Sequence, residues 1–331
     1  MTETKNTRNW RRIALYGLLG VVLLAGIGLV ALWQFAPVAI AFAQGSGTIA
    51  DVNLPDGFEI EVYAEVPNAR SMVLSEDGTL FIGSRQAGNV YAIPNAGNPE
   101  PELMTIASGL RSPNGVAVVD GDLYVAEIGR LLRYDDVEAN LSALPEPVVV
   151  TEELPEENHH GWRYMAYGPD GKMYIAVGAP CNVCEIEDYF GTVSRMNLDG
   201  SEFEVYATGV RNSVGFDWHP ESDVLWFTNN GRDWMGNDSP PDTLHRAPEP
   251  GLHFGFPFCH AGDTPDPDFG SRAPCSDFEQ PAAQLTPHGA SLGMRFYTGE
   301  MFPEDYAGQI FIAERGSWNR NPPIGYRVML A

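Results

Sequence analysis

The chain has 331 residues, of which 44% are hydrophobic, enough for one large domain or two small ones with a sizeable core. Its 20 lysine and arginine residues stand against 44 aspartate and glutamate residues, a formal net charge of −24 at pH 7. Such a surface does not bind nucleic acid or anionic lipid through its charge, which excludes both classes of partner and indicates a solvated acidic surface that aids solubility.

The first predicted element is an apolar segment near the N-terminus. Arg8, Arg11 and Arg12 precede a stretch without charge, and residues 13–35 are long enough to cross a bilayer, which takes about 20 apolar residues. Basic residues before the stretch, with none directly after it, place residues 1–12 in the cytoplasm. We therefore predict a single transmembrane anchor over 13–35, in the cytoplasmic membrane.

The rest of the chain is predicted to lie outside the cytoplasm. Residues 36–53 form a linker, and residues 54–331 form a domain on the periplasmic or extracellular side. The alternative is a cleaved signal peptide, because Ala-Phe-Ala at 41–43 fits a cleavage site; both alternatives export the domain. Beyond the first 43 residues the chain keeps 16 basic and 43 acidic residues, a net charge of −27.

One pattern recurs along the domain: an apolar strand, a turn, often of Asp-Gly type, and an apolar or aromatic strand that ends in a small residue. Asp-Gly between alternating apolar runs is a strong signal for a β-hairpin. A further short strand follows each hairpin, for instance at 88–93 and 191–196. The five hairpin cores lie at 71–83, 114–126, 164–176, 214–228 and 292–313.

The spacing of these hairpins predicts the architecture. The turn residues Gly78, Gly121 and Gly171 are 43 and 50 residues apart, and a repeat of about 40–50 residues is typical of propeller blades. The sequence therefore predicts an all-β propeller without long helices, and the alternative is a β-sandwich of irregular hairpins. The interval 232–285 interrupts the repeat, and its cysteines and aromatic residues favour an ordered loop with a function.

The four cysteines are Cys181, Cys184, Cys259 and Cys275. In an exported chain an even number favours disulfides, and we predict two local bridges, 181–184 and 259–275. The first pair is not a haem-attachment motif, because Glu185 follows it where a histidine is required. Unpaired or metal-binding thiols are the alternative.

Polar loops between the strands carry the candidate chemistry, since propeller sites form at one end of the central channel. These loops contain five arginines, many for a domain with so few basic residues, together with His159, His160 and three tryptophans. Such a composition favours a cationic pocket with an aromatic rim that binds an anion. The loop segments are 158–163, 209–213, 228–234 and 314–320.

Four motifs in order along the chain resemble the glucose/sorbosone dehydrogenase family, and most closely its sorbosone dehydrogenase-like branch. They are His160-Gly-Trp-Arg with the following Gly168-Pro-Asp-Gly, Cys181-Asn-Val-Cys184, the Gly-x-Arg-Asn step at 209–212, and Gly316-Ser-Trp-Asn-Arg320. The resemblance covers residues 54–330. It implies a six-bladed propeller that holds pyrroloquinoline quinone (PQQ) and Ca²⁺ and oxidises a sugar or sugar aldehyde.

The resemblance also assigns catalytic roles. His160, rather than His159, corresponds to the general base, and a neutral imidazole is suited to take a proton from a hydroxyl. Arg211 corresponds to the residue that stabilises developing negative charge, and arginines suit the carboxylates of PQQ. The implied cofactor contacts are Arg211, Asn212, Asn230, Asn319 and Arg320, and the implied Ca²⁺ ligands are backbone oxygens at Gly231 and Arg232.

One position departs from the family pattern. In the soluble glucose dehydrogenase branch an acidic residue orients the catalytic histidine, and here Ala179 follows Gly178 at that place. The orienting partner of His160 therefore stays open, with Glu185 and Asp188 as candidates. Two other functions also stay open: a calcium-dependent, lactonase-like hydrolase, and a non-catalytic binding propeller. The electron acceptor of a dehydrogenase would be a quinone or a cytochrome.

The number of hairpins leads to a further expectation. The family has six blades, but the sequence contains five hairpin cores and ends at residues 327–331, inside the predicted third strand of the fifth. We therefore expect that the last blade is missing and that the chain is a fragment of a longer one. A strand at 58–63 would then lack its partners in the closing blade. A closed five-bladed ring is the alternative.

Overall fold

The computed structural model describes residues 49–187 and 189–331. Contacts divide them into two compact units: residues 49–58 with 318–323, and residues 59–317 with 324–331. The predicted anchor at 13–35 lies outside the described residues, and among those described no helix is both long and apolar enough to cross a membrane. The first unit contains the short 3₁₀ helix Ile49–Asp51.

The strands of the described residues lie in the second unit, and they are short. The other helices there are single 3₁₀ turns at Val137–Asn140, Cys275–Asp277 and Glu304–Tyr306. The strands are β1 (Ala69–Leu74), β2 (Leu80–Ser84), β3 (Val90–Ile93), β4 (Met104–Ala107), β5 (Gly115–Val119), β6 (Asp122–Ala126), β7 (Leu131–Tyr134), β8 (Val148–Thr151), β9 (Met165–Tyr167), β10 (Met173–Val177), β11 (Thr192–Met196), β12 (Glu204–Thr208), β13 (Phe216–Trp218), β14 (Leu225–Asn229), β15 (Pro241–Ala247), β16 (Leu252–His253), β17 (Cys259–His260), β18 (Thr264–Pro265), β19 (Ala283–Pro287), β20 (Ser291–Phe296), β21 (Ile310–Glu314) and β22 (Arg327–Leu330).

Consecutive strands form five blade-like sheets. The first two sheets are the antiparallel meanders β1-β2-β3-β4 and β5-β6-β7-β8, and the third is β9-β10-β11-β12 with β16 added parallel to β12. The fourth is β13-β14-β15-β19, and the fifth is β20-β21-β22. The first two strands of each sheet are the five predicted hairpins, all of which are confirmed.

The Asp-Gly turns form because glycine accepts a backbone conformation that other residues resist. Gly78, Gly121 and Gly171 have φ values of +85°, +86° and +78°. At Gly121 the turn joins β5 to β6 directly, with Val119 paired to Asp122. These turns fix the register that directs alternate side chains of each hairpin towards the core.

The first strands of neighbouring sheets contact one another in chain order: β1 with β5, β5 with β9, and β13 with β20. The rings of Tyr164 and Phe216 meet edge to face at 4.7 Å and join the third sheet to the fourth. Buried apolar clusters fill the space between adjacent sheets. The unit is thus an all-β, propeller-like fold with five blades, and the predicted sixth blade is not among the described residues.

Residues 58–63 form no ladder in the structure, as expected for a strand that lacks its partners in a closing blade. Tyr63 instead packs against the apolar cluster of Ile82, Tyr91 and Ile93, and its hydroxyl accepts a hydrogen bond from the Gly97 N–H at 3.0 Å. Alternating apolar and acidic residues favour a strand, but a ladder also needs the backbone of a second strand beside it.

The interval that interrupts the repeat was predicted to be an ordered loop, and the structure shows short strands within it. It supplies β15 and β19 to the fourth sheet and β16 to the third, and β17 and β18 form a small hairpin. Both predicted disulfides are present, Cys181–Cys184 and Cys259–Cys275, and the second lies within this interval. No cysteine of the described chain is free.

Candidate active site

The candidate residues gather at one edge of the sheets. In each hairpin the first strand begins where the second ends, as the pairs Met165–Ile175 and Phe216–Phe227 show. Loops before each first strand and after each second strand therefore share that edge. The residues there are His160 and Trp162 before β9, Gly178 and Ala179 after β10, Arg211 and Asn212 before β13, and Asn230, Gly231 and Arg232 after β14.

His160 is held by a backbone carbonyl. Its Nδ1 lies 2.8 Å from the carbonyl oxygen of Ala179. A carbonyl can only accept a hydrogen bond, so Nδ1 carries the proton and Nε2 keeps a free lone pair. Glu185 is not the orienting residue, because it is exposed and pairs with Arg272, and Asp188 lies outside the described residues. The main-chain carbonyl of Ala179 thus orients His160 in place of an acidic side chain at this position.

His160 is neutral at physiological pH. Burial, with repulsion from Arg211 and His159, lowers the pKa of His160 to about 2. The two histidine rings lie 4.1 Å apart between centroids, and the hydrogen bond to Ala179 opposes the shift only in part. A neutral imidazole with a free Nε2 has the form that a general base requires.

Gly178 allows the site to close around His160. A Cβ atom at this position would lie 2.4 Å from the Cβ of His160 and 3.0 Å from Oδ1 of Asn212. The strand end therefore approaches both side chains more closely than any residue but glycine permits. The predicted base and the predicted amide contact are brought together here.

Arg211 is buried and almost fully engaged. Its Nε donates to the Asn182 carbonyl at 2.8 Å, and its Nη2 donates to Asn182 Oδ1 and to Asp233 Oδ2, both at 2.9 Å. Its Nη1 donates to the Asn230 carbonyl at 3.2 Å. Burial lowers the pKa of Arg211, and the nearby Asp233 and Asp242 oppose this effect. These four hydrogen bonds use four of the five guanidinium N–H groups of Arg211.

Asn212 directs an unpaired acceptor into the same region. Asn230 donates its amide N–H to the Ser291 carbonyl at 2.7 Å, so its Oδ1 is left to accept from Asn212 Nδ2 at 3.1 Å. This chain fixes the Asn212 amide with Oδ1 buried and without a donor among the described residues. A buried acceptor of this kind needs a partner, such as a ligand hydroxyl or a cation.

The predicted metal segment is tied down by carboxylates. The Gly231 N–H donates to Asp242 Oδ1 at 2.9 Å, and the other oxygen of this buried carboxylate accepts the Ser291 N–H at 2.9 Å. The Arg232 guanidinium pairs with Asp266 and Asp268. Across the described ranges, no group of three or more His, Cys, Asp or Glu side chains could hold a metal ion.

Asn319 and Arg320 lie in the other compact unit, within 318–323. Arg320 donates from Nη1 to the Pro322 carbonyl at 3.1 Å. Their role as cofactor contacts therefore stays a prediction.

Sequence reasoning missed a cluster of arginines around Trp162. The guanidinium of Arg85 lies 4.1 Å from the centre of the Trp162 ring, and that of Arg70 lies 5.7 Å from it. Burial lowers the pKa of Arg85, and repulsion from Arg315 adds to the shift. Burial and repulsion from both other arginines likewise lower the pKa of Arg70.

The structure shows Arg70, Arg85 and Arg315 close to one another in charge interactions, each without a carboxylate partner in the part of the chain that it describes. None of the three forms an ion pair with a carboxylate of the described residues, although the chain carries 44 acidic residues. Like charges gathered in this way indicate a site for an anion. Arg85 directly follows the small residue that ends β2, so a search of the first hairpin's loop would have found it.

The fold is similar to that of several sugar-oxidising enzymes. It matches the holo form of the pyranose dehydrogenase PQQ domain from Coprinopsis cinerea with a TM-score of 0.68, 17% identity and coverage of 80% of this chain and 75% of that one. The PQQ-bound aldose sugar dehydrogenase from Streptomyces coelicolor matches with a TM-score of 0.57, 19% identity and coverage of 76% and 75%. At these identities the likeness shows the fold.

A third structure, the calcium structure of a family AA12 carbohydrate-active enzyme from Trichoderma reesei, matches with a TM-score of 0.70, 17% identity and coverage of 83% and 80%. In sequence, the chain is 30% identical to an uncharacterized protein of Borreliella burgdorferi over 310 residues, 90% of this chain and 80% of that protein. The family model described as Glucose / Sorbosone dehydrogenase matches residues 126–315, more than half of the chain. The protein therefore belongs to the glucose/sorbosone dehydrogenase family.

Proposed function

We propose that the protein is a quinoprotein oxidoreductase that oxidises a sugar or sugar aldehyde with PQQ and Ca²⁺, with His160 as the general base. The observation that carries the proposal is the half-buried, neutral His160, whose Nδ1–H is held by Ala179 and whose Nε2 is free. Family membership and the arginine cluster support it.

The arginine cluster fits PQQ by its chemistry. PQQ carries several carboxylates, and Arg70, Arg85 and Arg315 are cations that lack carboxylate partners among the described residues. Trp162 adds an aromatic face two residues after His160, of the kind that suits a planar ring system. These residues would hold the acidic groups of the cofactor, at the edge of the sheets that also carries the base.

The candidate ligands for Ca²⁺ are amide and backbone oxygen atoms near Asn212, since no cluster of acidic side chains that could hold a metal ion occurs among the described residues. Calcium binds backbone and amide oxygens as well as carboxylates, and Asn212 Oδ1 is a buried acceptor without a donor. With it, backbone oxygens at Gly231 and Arg232 would be the ligands. When bound, PQQ supplies the hydride acceptor and Ca²⁺ polarises it.

The protein's own residues would orient the substrate and move its proton. His160 takes the hydroxyl proton at Nε2, while the Ala179 carbonyl keeps the ring oriented and stabilises the proton on Nδ1. Arg211 places one positive charge beside the base. An anionic cofactor nearby would raise the pKa of His160 towards the physiological range, which improves it as a base.

Reconstitution tests the proposal. The full chain is incubated with PQQ and Ca²⁺, and reduction of an artificial dye is followed with a panel of aldoses and sugar aldehydes. We expect His160→Ala to abolish turnover and to leave the absorbance change on PQQ binding intact. The matched control is His219→Ala, which changes a histidine in the β13–β14 turn. Turnover near the wild-type value in His160→Ala would contradict the assignment.

The same preparation separates the alternative functions. A lactonase-like hydrolase would open a lactone without PQQ, and a binding propeller would turn over neither substrate. Arg85→Ala should weaken PQQ binding in an absorbance titration, because it removes a cation without a carboxylate partner. If the variant binds PQQ as tightly as the wild type, the cluster does not hold the cofactor.

We propose that the enzyme is anchored by residues 13–35 and works outside the cytoplasm. The sequence of basic residues before the apolar stretch supports this placement. A sugar would then be oxidised outside the cytoplasmic membrane, with electrons passing to a quinone or a cytochrome.

A further inference from the structure

We infer that Asn182 is a positioning residue for Arg211 and that the Cys181–Cys184 disulfide holds it in place. The inference rests on the proposed function, because it concerns how the site of that reaction is assembled. Its basis is a set of hydrogen bonds in the structure that converge on a single residue, through its side chain and its carbonyl, in a short, cross-linked loop.

The carbonyl, Oδ1 and Nδ2 of Asn182 all form hydrogen bonds with Arg211 or Asp233. Its carbonyl accepts from Arg211 Nε at 2.8 Å, and its Oδ1 accepts from Arg211 Nη2 at 2.9 Å. The same Oδ1 accepts the Asp233 backbone N–H at 2.9 Å, and its Nδ2 donates to the Asp233 carbonyl at 3.1 Å. The residue therefore fixes the guanidinium in two directions and ties it to the loop after β14.

The loop that carries Asn182 also reaches the base. The Ala179 carbonyl, three residues earlier, accepts from His160, and the Ala179 N–H donates to the Arg211 carbonyl at 2.8 Å. Burial lowers the pKa of His159, and a hydrogen bond from its ring to the Cys181 main chain opposes the shift. Segment 179–182 thus contacts the base, its neighbour and the arginine.

The disulfide explains why so short a segment can act as a scaffold. Cys181 and Cys184 flank Asn182 and Val183, so the bridge closes a loop of two residues around the side chain that binds Arg211. Cross-linking removes most of the conformations open to a loop that has no strand hydrogen bonds. The bridge therefore restrains the segment that binds Arg211.

The test compares Asn182→Ala and Asn182→Asp with wild type in the full chain, with Asn197→Ala as a control that removes an asparagine from the opposite edge of the third sheet. Hydrogen exchange of the backbone around Asp233 is measured by mass spectrometry without cofactor. Steady-state kinetics follow with PQQ and Ca²⁺. We expect faster exchange at Asp233 and a fall in kcat of roughly 10- to 100-fold in Asn182→Ala, with little change in KM.

Asn182→Asp keeps the Oδ1 acceptor for Arg211 and the Asp233 N–H but loses the Nδ2 donor, so it should recover part of both properties, a rescue that a merely space-filling role does not predict. Cys181→Ser with Cys184→Ser should shift both readouts in the same direction as Asn182→Ala. Unchanged exchange at Asp233 or unchanged kcat in Asn182→Ala overturns the inference. If the wild type itself fails to turn over, the proposed function fails, and the exchange data still decide whether Asn182 holds the loop.

Discussion

At the scale of single residues, the orientation of His160 depends on how closely the main chain at 178–179 approaches its side chain. Ala179 offers no functional side chain, yet its carbonyl orients His160, and this is possible because Gly178 lets the strand end lie against the imidazole. The geometry requires the backbone oxygen of Ala179 and the absence of a side chain at the preceding residue, Gly178. Neither requirement is a property of side-chain chemistry.

We predict that Gly178→Ala lowers turnover by roughly 100-fold, because a displacement of about 1 Å in a catalytic group can cost that much. The added methyl would meet the His160 Cβ at 2.4 Å, so the base or the strand end must move. Gly293→Ala is the matched control, since a Cβ there meets no atom within 4 Å. Equal kcat values for both variants would show that the contact does not position His160.

His245 determines part of the pH dependence of stability. It is buried between the rings of Phe227 and Phe254, and burial lowers the pKa of His245 to about 3. The unfolded chain takes up a proton below the ordinary value of about 6.5, but the folded chain does not. Its contribution to stability is therefore present above that value and is lost as the pH falls towards 3.

We expect this residue to lower the free energy of unfolding by roughly 2 kcal/mol between pH 7 and pH 5. His245→Asn removes the titration, so the loss between these pH values should shrink by about that amount. Buried Asp242, whose pKa is raised by burial to about 6, acts in the opposite sense in both proteins. Urea unfolding at the two pH values gives the difference, and identical pH dependence would contradict the assignment.

At the scale of the elements, the local sequence specifies each hairpin. The insertion, the segment between β15 and β19, is held instead by a disulfide. The segment between β15 and β19 has only two-residue strands and one 3₁₀ turn of its own. Cys259–Cys275 closes it, while Asp266 binds Arg232 and His260. This disulfide therefore stabilises an element that carries few ladder hydrogen bonds.

Replacing both Cys259 and Cys275 by serine should lower the free energy of unfolding by about 3 kcal/mol, the value expected for a closed loop of about 15 residues. The bridge is first verified by mass spectrometry of the non-reduced protein, in which four alkylatable thiols would refute both disulfides. Denaturant unfolding then gives the difference. If the variant unfolds at the same denaturant concentration as the wild type, another interaction orders the insertion.

For the molecule as a whole, an acidic domain follows a basic N-terminus. Arg8, Arg11 and Arg12 precede the predicted anchor, and the residues after position 43 carry a net charge of −27. We predict that a C-terminal alkaline phosphatase fusion is active, because that reporter works only after export, and that a cytoplasmic reporter in its place is silent. Replacing the three arginines with glutamate should reduce export. A fusion active only in the cytoplasm would reverse the proposed topology.

Much of the fold could be read from the sequence, because each hairpin is encoded locally. Alternating apolar residues and an Asp-Gly turn need only neighbours along the chain, so all five hairpin cores were found with nearly correct bounds. The disulfides followed in the same way from close spacing and the predicted compartment. Residues 58–63 form no ladder although their pattern favours a strand, because pairing depends on a distant backbone.

For the candidate site, too, the sequence identified features that depend on local residue types, and the structure was needed for contacts between distant segments. Residue types and motif order identified His160 and the Arg211–Asn212 pair as candidates, since their chemistry is local. Only the tertiary structure showed that Ala179 orients His160, that Asn182 holds Arg211, and that Arg70 and Arg85 meet Trp162. These contacts join different blades or depend on carbonyl oxygens, which every residue has and no sequence pattern marks. The sequence determined which blades and reactive side chains exist, and packing between the blades decided which of them meet.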